Sequence, residues 1–309
     1  MSHLHPEFPV HPQLPVIPTV PEPDARLEVA EDGCVAARAS LWLRGPDLEG
    51  RRSGLIGHYA AATHTAGVRV LEEACARLRA AGAHLALGPL DGSTWFGYRL
   101  VTEPGHEAPF FLEPHHPPRH LEDFAAAGFG PVLHYFSALC TAYRPDPRRA
   151  ELAARFAPVC LRCASAGSAE ADLAAIYRLS LEAFAANPLY SPLPRPAFEA
   201  LYRPLLERVP LEWVWLAECE GEVLGFVFAL PDLLRPQGDS LIVKTVAVRP
   251  GRAQAGLGRY LVDELHRRAF AAGFTRVIHA LMWDGNDSSS ISRRYATPMR
   301  RYALFARKL

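Results

Sequence analysis

The strongest constraint on this chain is that its sequence repeats itself. Three blocks recur in the same order, offset by about 190 residues. LEVAEDGCVAARASLWL (27–43) parallels VWLAECEGEVLGFVFAL (214–230), each reading as a strand, a turn at Gly33 or Gly221, and a second strand. GLIGHYAA (54–61) and SLIVKTVAV (240–248) are strands that each lead into an amphipathic helix. Val68, Leu71, Cys75 and Leu78 line the first helix, and Leu257, Leu261 and Leu265 the second. His266, Arg267 and Arg268 near the end of the second helix suit its dipole. Each helix stops at a glycine, Gly82 or Gly273, as a left-handed C-cap favours. A further strand follows, then Asp91-Gly92 or Asp284-Gly285. Three blocks in register predict one α/β unit used twice, and 309 residues suit two units.

The halves differ before their hairpins. The second has a strand, VCLRCAS, and two amphipathic segments, AEADLAAIYRLSLEAFA and RPAFEALYRPLLERV. The first has an arm in which Pro6, Pro9, Pro12, Pro15, Pro18 and Pro21 recur every third residue. Polyproline II has three residues per turn, so these prolines share one edge. Such an arm can dock on its own body, on a second subunit to give a homodimer, or on a partner. His3, His5 and His11 along it converge poorly on a metal. The charged, proline-bearing RPDPRR (144–149) marks the boundary. The expected organisation is an arm over 1–24, one unit over 25–150 and a second over 151–309.

Composition excludes several classes. The 33 basic and 33 acidic side chains cancel, whereas a protein that neutralises nucleic-acid phosphates carries a basic excess. With 49% apolar residues the chain is not disordered. No apolar run reaches the roughly 18 residues of a membrane span. The start lacks the basic and apolar regions of a signal peptide, so a soluble cytoplasmic protein is expected. The six cysteines then read as reduced, buried thiols. Cys160 and Cys163 form one CxxC, but zinc needs a second ligand pair at suitable spacing, and none follows. No metal is expected.

Chemistry concentrates in VAVRPGRAQAGLGRYLV (246–262). A strand stops at Pro250, and a loop with Gly251, Gly256 and Gly258 opens a helix. Glycines let backbone N–H groups converge on a phosphate, and the helix N-terminus adds positive potential. A Walker A loop would need Lys and Ser/Thr after the glycine, where Leu257 and Gly258 stand. The Rossmann fingerprint would need a glycine at Leu261.

The segment resembles the GNAT superfamily of acyl-CoA-dependent N-acyltransferases, whose signature runs V-x-V-x-P, then Q/R-x-x-G-x-G/A into a helix. Val246, Val248 and Pro250 match the first part, and Gly256 and Gly258 the glycines; Ala253 stands where Gln or Arg is usual. The resemblance implies an α/β fold with a mixed sheet. It gives two tandem GNAT-like domains, each a mostly antiparallel central sheet flanked by helices. It also implies coenzyme contacts at Val246, Ala247, Val248, Arg252, Gln254, Ala255, Gly256, Leu257, Gly258, Arg259 and Asn286. In the first half, AAATHTAGVRV keeps Gly67 but has Arg69 in place of the second glycine. This half is expected to bind no coenzyme and to act as scaffold or partial wall. Trp95, Phe110, Phe111 and His115, in segments without a counterpart, can line an acceptor cavity or pack as a loop. Tyr190, in NPLYSPLPRP (187–196), can contribute as well.

The implied reaction moves an acetyl group from acetyl-CoA to a primary amine of a small molecule, by direct attack in a ternary complex. A strand backbone N–H would polarise the thioester carbonyl. Glu218, Asp232 and His279 are candidate bases. Tyr295 is the candidate acid for the departing thiolate, with Tyr302 in reserve, although Tyr295 lies two residues later than the family spacing from Asn286. Arg293, Arg294, Arg300 and Arg301 read as a solvated face, with phosphate contact as the alternative. The competing reading is a non-catalytic acyl-CoA-binding or interaction protein, favoured by Ala253 and the displaced tyrosine.

Overall fold

The computed structural model describes residues 21–309. The proline arm, except its last residues, lies outside them. The chain begins with β1 (Ala25–Glu31), β2 (Cys34–Trp42), β3 (Ser53–Ala61), α1 (His64–Ala80), β4 (Leu85–Gly88), β5 (Leu100–Glu103), α2 (Arg119–Ala126) and β6 (Gly130–Cys140). It continues with α3 (Arg149–Arg155), β7 (Cys160–Cys163), α4 (Ala169–Ala183), α5 (Arg195–Leu206), β8 (Val214–Cys219), β9 (Glu222–Pro231) and β10 (Ser240–Val248). Last come α6 (Leu257–Ala271), β11 (Arg276–Trp283), α7 (Asp287–Ser292) and β12 (Thr297–Lys308).

The two repeated units are visible as matched pieces. Each has an antiparallel hairpin (β1–β2, β8–β9) and a third strand joined antiparallel to it (β3, β10). A helix then crosses to a parallel fourth strand (β4, β11). Thr63 caps α1 by accepting from the Ala66 N–H at 3.1 Å. Gly82 and Gly273 follow the two crossover helices at φ 84 and 95, as their left-handed roles require.

Their last strands are exchanged. All strands form one sheet in the order β1-β2-β3-β4-β12-β6-β11-β10-β9-β8-β7, with β5 added against β12. Thus β6 of the first unit lies beside β11 of the second, and β12 of the second lies beside β4 of the first. The exchanged strands also pair with each other, from Thr297 opposite Leu139 to Ala306 opposite Gly130.

Burial follows from strand alternation. On β9, Phe226 and Phe228 face α4 and α5 with Ile176, Leu179 and Phe198. The alternate residues Val227 and Ala229 face Leu257, Leu261 and Leu265 of α6. In the first unit Leu71, Cys75 and Leu78 of α1 close on β1–β3 together with Phe124 of α2. Cys160 and Cys163 are exposed on the edge strand β7. No helix among the described residues is long and apolar enough to cross a membrane.

The exchange makes the units interdependent. Removing residues 297–309 strips β4, β5 and β6 of their shared neighbour. The truncated chain should therefore lose cooperative unfolding in both halves, read by circular dichroism and limited proteolysis. A compact, protease-resistant first half in that truncation would contradict the strand exchange.

Candidate active site

β10 and β11 pair only over Ser240–Val243 against Arg276–His279. Beyond this point β10 stays with β9 and β11 with β6, so a wedge opens between them. At its apex the β10 ladder slips between Val243 and Thr245, leaving Lys244 as a bulge. β11 slips as well, between His279 and Met282, with Leu281 at φ 58.

The loop after β10 leads directly into α6. Gly251 (φ 149) and Gly256 (φ 93) take conformations that strain other residues. Arg155 of α3 donates to the carbonyls of Arg252 and Ala253, at 3.2 and 3.3 Å. Among the described residues, the N–H groups of Gln254, Gly256, Gly258 and Arg259 have no protein acceptor. Orphan donors at a helix start form an anion site, and the glycine loop with the adjoining wedge fits a coenzyme pyrophosphate and its extended arm. Two expected contributors fall away: Ala255 N–H donates to Arg252 and Leu257 N–H to Gln254. Leu257 also turns its side chain into the core.

The wedge continues into a cavity of about 850 Å³ lined by both units. Val246 and Asn286 border it; Ala247 and Val248 turn their side chains into the packing on either side of β10. Asn286 caps α7, its Oδ1 accepting from the Ser289 N–H at 3.0 Å. The first unit contributes Trp95, Phe110 and Phe111, whereas His115 is not in the lining. Trp95 meets the rings of Phe198, Tyr190 and Phe184 at 5.5, 5.9 and 6.2 Å, and donates to the Ser191 carbonyl at 2.9 Å. Trp95 and Tyr190 are thus both cavity residues.

Tyr295 requires a correction. It is absent from the cavity lining, and its hydroxyl faces Asp146 and Asp263 at 3.2 and 3.3 Å. Burial and those two carboxylates push its phenol far above the ordinary value, so it stays protonated. Its ring stacks on His266 at 4.7 Å. Arg259 is also diverted, because its guanidinium pairs with the buried Asp146; only its backbone N–H faces the loop. Tyr302 is fully buried, donates its hydroxyl hydrogen to Glu113 and accepts from the Ser137 hydroxyl. Arg300 does not belong to a solvated face: it is buried and paired with Glu113.

Of the candidate bases, only His279 borders the cavity. Glu218 is tied to Arg162 at 2.7 Å, and Asp232 accepts from the N–H groups of Phe111 and Leu234. His279 belongs to a buried chain whose proton positions follow from one fixed end. His266 Nδ1 lies 2.8 Å from the Val262 carbonyl, which can only accept, so His266 carries its proton there. Its Nε2 then accepts from His279 Nε2–H at 3.2 Å, and His279 Nδ1 accepts from the Ser292 hydroxyl at 2.7 Å. Burial drives His266 down to about 4 and His279 well below the ordinary histidine value. His266 is therefore neutral at pH 7 and not a cation answering the helix dipole. Ser292 and His279 both line the cavity.

The matching slot in the first unit is closed by its own chain. β3 and β4 part after Leu55 and Leu87. There Leu90 N–H donates to the Ile56 carbonyl at 2.8 Å, and Asp91 Oδ1 accepts from the His58 N–H at 2.6 Å. Only Ala62 and Thr63 separate β3 from α1, so no loop is available to cradle phosphate. A side chain at Gly67 would meet the Tyr59 hydroxyl and the Asp123 carboxylate.

The sequence model of the Acetyltransferase (GNAT) family matches residues 173–289. No curated protein matches the chain. Among solved structures, the fold is similar to the GCN5-related glucosamine N-acetyltransferase region of a fungal multi-domain GH3 beta-N-acetylglucosaminidase, at 12% identity and a TM-score of 0.53. That match covers 89% of this chain and 32% of the other, so the chain spans about a third of that multi-domain protein. A GCN5-related N-acetyltransferase from Sphaerobacter thermophilus is similar at 17% identity and a TM-score of 0.51, covering 91% and 79% of the two chains. A tandem GNAT protein from the clavulanic acid biosynthesis pathway is similar at 12% identity and 0.50, covering 93% and 84%. At these identities the likeness is one of fold.

Two measurements test the site. A Cβ at Gly258 would meet nothing closer than 3.6 Å, so Gly258→Asp should fold normally. It adds a negative charge within the proposed cradle, so affinity for acetyl-CoA in calorimetry should fall on the order of 100-fold; unchanged affinity would remove the cradle. The second test is pH. His58, His116, His120, His266 and His279 are all held below their ordinary value by burial. As pH falls below 6.5 the unfolded chain binds protons that the native state refuses. Stability in urea melts should be level above pH 7 and decline from 6.5 towards 4, by up to about 1.4 kcal/mol per pH unit for each histidine.

Proposed function

We propose that this chain, whose second half carries a GNAT-family domain within a tandem GNAT fold, transfers an acetyl group from acetyl-CoA to a primary amine of a small-molecule acceptor. The observation that carries the reading is the wedge between β10 and β11 together with the unsatisfied N–H groups of the glycine loop that follows β10. Acetyl-CoA would supply an activated acyl group and a thiol leaving group. The N–H groups of Gln254, Gly256, Gly258 and Arg259 would hold its pyrophosphate. The backbone at the Lys244 bulge is the place for an N–H to stabilise charge developing on the acyl oxygen.

The acceptor amine enters from the aromatic chamber and attacks in a ternary complex. We assign its proton an exit through Ser292, which borders the cavity and whose hydroxyl donates to His279 Nδ1. The first unit, with its slot closed, serves as wall and scaffold. The division into 25–150 and 151–309 describes this sharing of roles along the chain. The alternative, a coenzyme-binding protein without turnover, gains from the withdrawal of the Tyr295 hydroxyl.

Acetyl-CoA titration followed by turnover on a panel of amines separates the two readings. Binding with N-acetylated product supports the transferase, binding without product on any amine supports the alternative, and absence of binding overturns both. Ser292→Ala should lower kcat about 100-fold while acetyl-CoA affinity holds, as loss of a proton-handling group does. Because His279 sits well below 6.5, its base form persists across neutral pH. At saturating acceptor, the pH profile of kcat should show no loss from this group near 6.5, and its protonation should lower kcat only at more acidic pH.

A further inference from the structure

The acceptor chamber holds cations and lacks a free anion. Arg99, brought by the first unit, is 5% exposed. Its guanidinium lies over the rings of Tyr98 and Tyr135 at 3.7 and 4.1 Å, and its Nη1 donates to the Leu281 carbonyl at 3.0 Å. Its Nε has no partner. Among the described residues, no carboxylate lies within 4 Å of this guanidinium or of the Lys244 ammonium. Lys244 instead meets the Tyr202 hydroxyl at 3.1 Å and the faces of Tyr202 and Phe228 at 4.9 and 6.0 Å. Glu113, the acid in the lining, is spent on Arg300 and Tyr302.

An isolated buried guanidinium is costly unless an anion accompanies it. The backbone is also strained at this place. Arg99, Leu112 and Leu281 line the cavity with φ of 70, 68 and 58, a region these side chains avoid. Strain of this kind gathers at ligand sites because the surroundings must impose it. Aromatic walls alone would suit a cationic amine, but Lys244 already occupies the ring faces of Tyr202 and Phe228.

Resting on the acetyltransferase reading above, we infer that the acceptor is an amine that also carries a carboxylate, an amino acid with a large apolar side chain. Arg99 and Lys244 receive the carboxylate, and the wall of Trp95, Phe184, Tyr190 and Tyr202 receives the side chain. The planar fork of arginine matches a carboxylate in a way that no neutral group replaces. The same cations favour the neutral form of the amine over its ammonium, which prepares the nucleophile. In the transfer the amine nitrogen bonds to the acyl carbon and the carbon–sulfur bond breaks. The amine proton leaves and the thiolate gains one, giving an N-acetylamino acid and free coenzyme thiol.

The test compares phenylalanine, phenylalaninamide and phenethylamine on the full-length protein, with acetyl-CoA affinity measured separately. The wild type should show a kcat/KM for phenylalanine about 100-fold above the other two. Arg99→Met and Lys244→Met should each reduce that preference to about tenfold or less while acetyl-CoA affinity stays within about threefold. Equal or better use of phenethylamine or the amide by the wild type would overturn the inference and leave the transferase reading standing. Variants that retain the preference would overturn it too. Loss of coenzyme affinity in both variants would reassign the two cations to the coenzyme. Absence of acetyl-CoA binding by the wild type would instead remove the reading on which the inference rests.

Discussion

The antiparallel pairing of β6 with β12 governs the rest of the structure. Each strand closes the repeat in which it does not originate, so their ladder fuses two sheets into one. That ladder fixes where the cavity can lie. It brings β6 against β11, one wall of the wedge, and Tyr135 of β6 then sits beneath Arg99. The buried Arg300–Glu113 pair ties β12 to the segment that presents Phe110 and Phe111. Breaking a buried pair of this kind by removing one partner costs about 3–5 kcal/mol. The first unit is therefore held in the acceptor wall by the same contacts that close the sheet.

The two repeats diverge through their loops, not their strands. Both contain a parallel pair that separates after a few residues. In the first unit, Pro89–Asp91 turns back into the gap and bonds to β3. In the second, β11 continues along β6 and the gap stays open. An incoming extended ligand would meet satisfied backbone groups in the first gap and available ones in the second. The side chain at Arg69 is a lesser difference than this internal occupancy.

The parts of the site carried by local chemistry were legible in the sequence. Gly256 and Gly258 announce a backbone cradle, and the spacing of Leu257, Leu261 and Leu265 announces the helix that presents it. Features that depend on contacts distant in sequence were not. Arg300 reads as one of several exposed arginines until β12 crosses into the first unit and meets Glu113. Tyr295 reads as an acid for the thiolate until Asp146 and Asp263, from the linker and α6, claim its hydroxyl. Arg99 carries no local signal, because its place depends on the fold of the other repeat. The two-residue offset of Tyr295 from the family spacing, and Ala296-Thr297 where Gly-Phe is customary, signalled the departure.

A chain of zero formal net charge can still separate its charges, and α6 is where it does so. Asp263 and Glu264 pair with Arg149, while Asp146 pairs with Arg259. Three arginines at Glu264 hold its carboxyl down at about 2, with Arg267 the largest contributor. These acids anchor the linker and α3 to the helix. None of them lines the cavity, which Val262 of the same helix borders together with neutral His279. These acids are thus paired with arginines of α3 and α6, while Arg99 and Lys244, at the cavity wall, pair with no carboxylate among the described residues. The paired acids hold the scaffold together, whereas a buried cation without an acid costs stability, a cost that a bound carboxylate would offset.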